Sequence, residues 1–383
     1  MIFAADDAAG HGPRPTALFG AAAGAAAANS WTSVNGWSAA RVYTNVAEEY
    51  EAAHTGVAIV DAGPIVRYTA RGRQAAELLA RAATAPAAAL EPGESARGLL
   101  LDQAGNVVDL VETARIASDL FLLSCSKSHA RRLQLAARGL DAVIEDITGH
   151  VAALALLGPK ARDAAAAAGL DVTNEALAVQ TRVRGVETSA RPLSFGALQG
   201  VEVILPFEEA LTLWERLRRA ARPKPLGLDA LDVIRIEGGV PRIGVDFIGA
   251  DDARREEDKR TPAALGLAHL APPTRAWFNG RRGLRSQLAP SRRLTVLAID
   301  AARVAPGAAV FGLKGEIGRL TSAAFSPHLK RMAAFAEIAT GTEKVEVALL
   351  DGGRAAAEPL ETAEGRRAEA FRASDGRATE SRF

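Results

Sequence analysis

The apolar positions of this chain fall into blocks with two spacings, period two and period 3.6. These are the marks of a strand with one buried face and of an amphipathic helix. Residues 48–53 have helical spacing, His54-Thr55-Gly56 stops them, and 57–60 is a short apolar strand ending at Asp61-Ala-Gly-Pro. Residues 65–69 alternate as a second strand, and 73–83 form an Ala- and Leu-rich amphipathic helix. Residues 95–116 contain two strands joined at 102–106, where Gly105 and Asn106 suit a hairpin turn. Strand 119–126 and helix 128–137 follow, and the order strand, helix, strand, strand, strand, helix is that of a split βαβ unit. A compact α+β domain is therefore expected over 66–149.

A second unit repeats the theme. Its parts are strand 151–157, helix 160–168 opened by Gly158-Pro159, strands 183–187 and 200–206, and amphipathic helix 208–221. Together with 30–65 these make a discontinuous α+β domain of 30–65 and 150–250. Residues 226–246 stand apart, because apolar Leu228, Leu231, Val233, Ile234 and Ile236 enclose Asp232, Arg235 and Glu237 before a break at Gly238-Gly239. Charge inside an apolar run needs a partner, since an unpaired buried ion costs several kcal/mol. The sequence pattern reads Arg235 and Glu237 as an ion pair tying that turn. Residues 250–262 are a mixed charge run, and short strands at 294–299, 309–313, 316–325 and 344–350 predict a small antiparallel barrel over 265–350. The Ala-, Gly- and Pro-rich residues 1–29 are expected to form a flexible arm, and polar residues 351–383 a disordered tail.

Composition narrows the class. Of 383 residues, 48% are hydrophobic and 24% charged, as in an ordinary soluble globular protein. Lys plus Arg (46) nearly cancels Asp plus Glu (45), which removes the electrostatic case for nucleic acid or an anionic membrane. The single cysteine, Cys125, rules out an internal disulfide framework and fits a reducing compartment, so a cytoplasmic location is expected. The six histidines share no metal-ligand spacing, and no metal site is expected. Glycines 312–318 lack the strand-to-helix setting of a phosphate loop.

Two carboxylates remain as candidates. Asp109 emerges just past the 102–106 turn, where it is either a turn cap or a site residue. Glu202 sits mid-strand among Val201, Val203 and Leu205, unusual for a solvated face.

The motifs then accumulate into a resemblance. IGRLTSAAFSPHL at 317–329, RIEGGVPRIGVD at 235–246, QAGNVVD at 103–109, GVEVILP at 200–206, LLGPKA at 156–161 and FNGRRGL at 278–284 occur in the order seen in the glycine cleavage T-protein (aminomethyltransferase) family. The resemblance covers roughly 40–350. It implies a three-domain cloverleaf, two ferredoxin-like α/β units and a C-terminal β-barrel around a central cavity, with tetrahydrofolate in the cavity. It also implies one-carbon transfer to folate N5, with Asp109 beside the reacting carbon and Glu202 on the pterin amino edge, where a carboxylate can accept two adjacent N–H donors.

The pattern departs from the family at Phe195, where a tyrosine is usual, at Leu110 in place of a second Asp, and at Leu231 and Ala305 in place of arginines. Grip on the folate tail is then expected from Arg235, Arg242 or Arg303, with Phe195 and Glu237 near the cofactor. These changes favour a demethylase or aminomethyltransferase-like enzyme whose partners are a methyl or aminomethyl donor and a lipoyl carrier protein. The alternative is a relative that keeps the fold as a binding module or uses its cavity without folate. The cysteine-bearing iron-sulfur branch of the superfamily is excluded, because 245–265 contain no cysteine.

Overall fold

The computed structural model describes residue 1 and residues 12–170, 172, 179–183, 186–272, 277–342 and 344–370. The chain divides into two compact units, Met1–Leu100 with Asp109–Leu231 and Leu101–Val108 with Asp232–Phe383.

In the first unit, helix α1 (Phe19–Ala25) precedes the hairpin β1 (Ser30–Val34) and β2 (Trp37–Val42). Helix α2 (Val46–Thr55) starts at Asn45, whose side chain accepts from Glu48 N at 2.9 Å. Strands β3 (Ala58–Asp61) and β4 (Val66–Arg71), helix α3 (Ala75–Ala82), strands β5 (Ser95–Leu101), β6 (Val107–Ala117) and β7 (Leu120–Cys125), helix α4 (Ala130–Ala137) and strand β8 (Val143–Asp146) follow. Next come β9 (Val151–Leu157), α5 (Ala161–Ala167), β10 (Val179–Val183), β11 (Val186–Phe195), β12 (Leu198–Pro206), α6 (Ala210–Ala220), β13 (Lys224–Pro225) and α7 (Leu228–Gly238), whose residues from Asp232 onward count in the second unit. The strand read at 183–187 is thus the end of one strand and the start of another, with 184–185 outside the described residues.

Besides the two-stranded β1-β2 pair, two larger sheets result, five strands in the order β5-β6-β7-β4-β8 and six in the order β10-β11-β12-β9-β3-β13. Strand β9, VAALALL, lies between β12 and β3. That central place explains its unbroken apolar run, since alternation is needed only where one face meets water. Against this sheet pack Leu213, Trp214 and Leu217 of α6 and the small residues Ala161, Ala164 and Ala165 of α5.

The expected flexible arm is corrected in its described part. Leu18 is buried in the same core as α6, and Thr16 Oγ1 donates to Asp61 Oδ2 at 2.6 Å. An alanine-rich stretch has enough apolar surface to dock on a sheet even when its own periodicity is weak. Residues 2–11 lie outside the described residues.

In the second unit, α8 (Arg281–Ser286) is followed by β14 (Arg292–Ile299), β15 (Ala309–Gly312), β16 (Gly315–Ser326), β17 (Arg331–Ala339), β18 (Val345–Ala348) and β19 (Arg354–Pro359). These six close a barrel, β14-β17-β16-β15-β18-β19, around Leu297, Ile299, Val310, Leu320, Met332, Ala334 and Val347. Alanines at 333, 334 and 336 let strands curve tightly round a narrow interior. Here the expected disordered tail is corrected. Residues 354–359 supply the strand that pairs with both β14 and β18, and Thr362 and Glu364 are buried beyond it. Residues 371–383 lie outside the described residues.

Candidate functional site

Asp109 is fully buried on β6. Its Oδ1 accepts from Leu110 N at 2.8 Å and, closely, from Ser126 Oγ. Its Oδ2 accepts from Ser126 N at 3.1 Å and lies 2.9 Å from His129 Nε2, with Lys127 N at 3.4 Å. A carboxylate has about four lone-pair sites, and Leu110 N of β6 together with groups of the turn leading from β7 into α4 surrounds them. The same turn is held by Tyr68, whose hydroxyl accepts from His129 N at 3.0 Å and lies 3.0 Å from Ser128 Oγ. This is the geometry of a cap.

Three positions along β6, alternation sends Glu112 to the opposite face of the sheet. Glu112 on β6 and Arg67 on β4 both register with Ser124 on β7, so the three side chains form a row across one face. Arg191 on β11 stands directly opposite Glu202 on β12, a cross-strand pair of opposite charge.

These four charges join. Arg67 Nη2 donates to Glu202 Oε1 at 2.9 Å, and Arg191 Nε donates to Glu202 Oε2 at 2.8 Å, with Arg191 Nη2 closing on the same oxygen. Arg191 Nη1 donates to Glu112 Oε1. Arg67 Nη1 completes its bonding on the carbonyls of Ala62 (2.9 Å) and Ile65 (3.0 Å). Among the described residues, Arg67 Nε and Ser124 Oγ are buried with no hydrogen-bond partner. Burial alone would raise the Glu202 pKa, but the adjacent Arg191 and Arg67 guanidinium groups outweigh it and hold the carboxyl at about 2. Burial likewise raises Glu112, and Arg191 reverses the sign, so its carboxyl also lies below the ordinary range.

Of the residues expected from sequence, Glu202 is therefore inside the cluster with both oxygens engaged. Phe195 is buried where β11 turns into β12, across from Leu198. Asp109 lies on the other face of the β6 sheet. Arg235, Glu237 and Arg242 belong to the second unit. The expected pairing of Arg235 with Glu237 is corrected, because the carboxylates on Arg235 are Asp232 (2.6 Å) and Asp246. A bonded i, i+3 neighbour on the helix and a loop residue that folds back offer better geometry than i+2, which points to another side of a helix. Asp246 also accepts from Arg242 N at 2.8 Å, Thr321 Oγ1 at 2.7 Å and Ser322 Oγ at 2.6 Å, tying the α7 end to β16. Arg242 Nη1 stands 3.3 Å from Asp232.

Sequence reading missed Arg67, Glu112 and Arg191. For Arg67 and Glu112 the signal was present, a charge inside an apolar strand (IVRYTA, VVDLVETA), the same sign that marked 226–246, whereas Arg191 lies in the mixed run TSARPLS. Among the described residues no group of three or more His, Cys, Asp or Glu could hold a metal ion, and no helix is long and apolar enough to cross a membrane.

Residues 21–256 match the family described as GCVT N-terminal domain. The chain is 27% identical over 308 residues to the aminomethyltransferase of Thermus thermophilus, covering 79% of this chain and 85% of that one. It is 31% identical over 266 residues to the aminomethyltransferase of Xanthomonas oryzae pv. oryzae, covering 65% and 69%. With the sarcosine oxidase subunit alpha of Corynebacterium it shares 28% identity over 330 residues, 78% of this chain but 33% of that protein. The crystal structure of glycine cleavage system aminomethyltransferase T from Bartonella henselae superposes with a TM-score of 0.81 at 24% identity over 92% of this chain and 98% of that one, a likeness of fold. A family match over 21–256, more than half of the chain, together with relatives of this extent, means that the chain belongs to the GCVT N-terminal domain family.

Proposed function

We propose that this chain is a folate-dependent one-carbon transferase that moves a methyl or aminomethyl group from a small-molecule donor to N5 of tetrahydrofolate. Membership of the family and relatives named aminomethyltransferase support the reaction class. The observation that carries the reading is the Arg67, Glu112, Arg191 and Glu202 cluster, buried yet with Ser124 Oγ and Arg67 Nε beside it left without hydrogen-bond partners among the described residues. Such atoms are rare in native interiors. They fit a flat ligand edge that carries both N–H donors and acceptors, as the aminopyrimidinone of a pterin does.

Bound folate supplies the nucleophilic nitrogen that receives the carbon unit. The chain's own part is to bind and orient. Glu112 and Glu202, both held below the ordinary carboxylate range by their arginines, stay ionised at neutral pH and accept hydrogen bonds without carrying a proton. Rate enhancement then comes mainly from holding donor and acceptor within attack distance.

The donor is the finer question. A relative named for oxidation of sarcosine, an N-methyl amino acid, supports a demethylase-like donor, and the aminomethyltransferase names support an aminomethyl group on a lipoyl carrier protein. Calorimetric titration of the full chain with tetrahydrofolate under argon tests the reading. Saturable binding is expected, and no heat at millimolar ligand would leave the folate-independent alternative standing. Turnover of methylated amines with and without a lipoyl carrier then separates the two donors.

A further inference from the structure

The charge cluster of the first unit has one carboxylate oxygen that no hydrogen bond reaches among the described residues. Arg67, Arg191 and Glu202 are 1–2% exposed at the side chain, and both oxygens of Glu202 accept from guanidinium groups. Glu112 keeps 11% side-chain exposure. Its Oε1 is held by Arg191, whereas Oε2 receives no hydrogen bond among the described residues and is matched only by an ion pair with the Met1 ammonium at 3.8 Å, beyond hydrogen-bond reach. Beside it on the same sheet face, Ser124 Oγ and then Arg67 Nε also lack partners. The row across β6, β7 and β4 thus offers an acceptor, a hydroxyl and a donor in succession, about 4.8 Å apart from strand to strand.

We infer that Glu112 is the residue of this cluster that touches ligand, accepting a hydrogen bond from an N–H group through Oε2, with Arg191 as its positioning residue and Glu202 as the counter-ion that keeps Arg191 in place. This rests on the folate-dependent reading above and reassigns its recognition step, which the sequence motif put on Glu202. Arg191 reaches both carboxylates from one guanidinium, so the direction of the Glu112 side chain is set by the Arg191–Glu202 pair behind it. Two ligands carry the required N–H group, the aminopyrimidine edge of folate and the amine of a one-carbon donor.

Calorimetry on the full chain separates them, with tetrahydrofolate in one series and methylamine in another, for the wild type, Glu112→Gln and Glu112→Asp. Removing the charge of an acceptor in a charge-assisted hydrogen bond weakens binding roughly ten- to hundredfold. A loss of that size confined to tetrahydrofolate assigns Glu112 to the folate, and one confined to methylamine assigns it to the donor. Glu112→Asp keeps the charge and withdraws the oxygen by one methylene, so it carries the test if Glu112→Gln does not fold. Wild-type binding of either ligand that both variants leave unchanged overturns the inference and spares the folate reading. If the wild type binds neither ligand, the folate reading fails and the inference fails with it.

Discussion

Removing the carboxylate charge of Glu202 would leave Arg67 with carbonyl partners alone and Arg191 with Glu112 alone, in an interior where each is almost wholly buried. Breaking a buried ion pair from one side costs about 3–5 kcal/mol, because the remaining charge stays desolvated. Glu202→Gln is therefore expected to lower unfolding free energy by about that amount in urea titrations, and a change within about 0.5 kcal/mol, usual for surface sites, would contradict the cluster. The pH dependence follows from the sign of the shift. The folded-state pKa of Glu202, about 2, lies below its ordinary 4.5, so its contribution is complete above pH 4.5 and is lost as pH falls toward 2. Wild type and Glu202→Gln should converge in stability across that window, and curves that stay parallel would refute the assignment. Asp109 gives the opposite contrast. As a cap, Asp109→Asn is expected to cost roughly 1.5–3 kcal/mol of stability through its charge-assisted bonds, whereas a residue placed only for chemistry would lose turnover at unchanged stability. At this scale the sequence showed which carboxylates were unusual and not what they touch. Glu202 meets Arg67 across 135 positions of chain, and no local pattern encodes a contact of that span.

The elements were legible where the apolar pattern was strong. Strand β9 and helices α3 and α6 announce themselves by unbroken apolar runs or by 3.6 spacing, and the turn before β6 by Gly105, which adopts φ +85°. Strand β19 was illegible for a physical reason. Its sequence, RAAAEP, has low strand propensity and buries only Ala355, so it becomes a strand through its partners. Backbone pairing with β14 at 297–299 and with β18 at 345–348 closes the barrel. Ending the chain after Gly353 should consequently leave two strand edges unpaired. The truncated protein is expected to melt several degrees lower and to aggregate, as followed by calorimetry and light scattering. An unchanged melting temperature would restore the disordered-tail reading. Gly318 makes the same barrel sensitive from within, since a Cβ there would stand 1.9 Å from Glu337 O on β17. Gly318→Ala must push two paired strands apart, and a loss of more than about 2 kcal/mol is expected.

At the scale of the whole molecule, the division of the chain does not follow its order. The second unit contains Leu101–Val108, the tip of the β5–β6 hairpin, although that hairpin's strands belong mostly to the first unit. The contacts that make it so are specific. Asn279 Nδ2 donates to Leu101 O at 3.0 Å, Gln287 Nε2 to Ala104 O at 2.8 Å, and Val107 exchanges backbone bonds with Arg260 O and Ala250 N, each at 2.8 Å. Gly283 has no room for a side chain, because a Cβ would meet Ala104 C at 2.3 Å. A fragment of residues 232–370 would lack this hairpin tip and leave those donors and acceptors without partners, each buried one costing about 1–3 kcal/mol. Unfolding free energies of whole domains are only about 5–15 kcal/mol. The fragment is therefore expected to be protease-sensitive around 250–272 while the same segment in the full chain resists digestion. Adding a peptide of residues 99–109 in excess should restore part of the protection by mass action. Equal resistance of the fragment without the peptide would mean that the hairpin tip is a bystander, and that the second unit is defined by residues 232–370 alone.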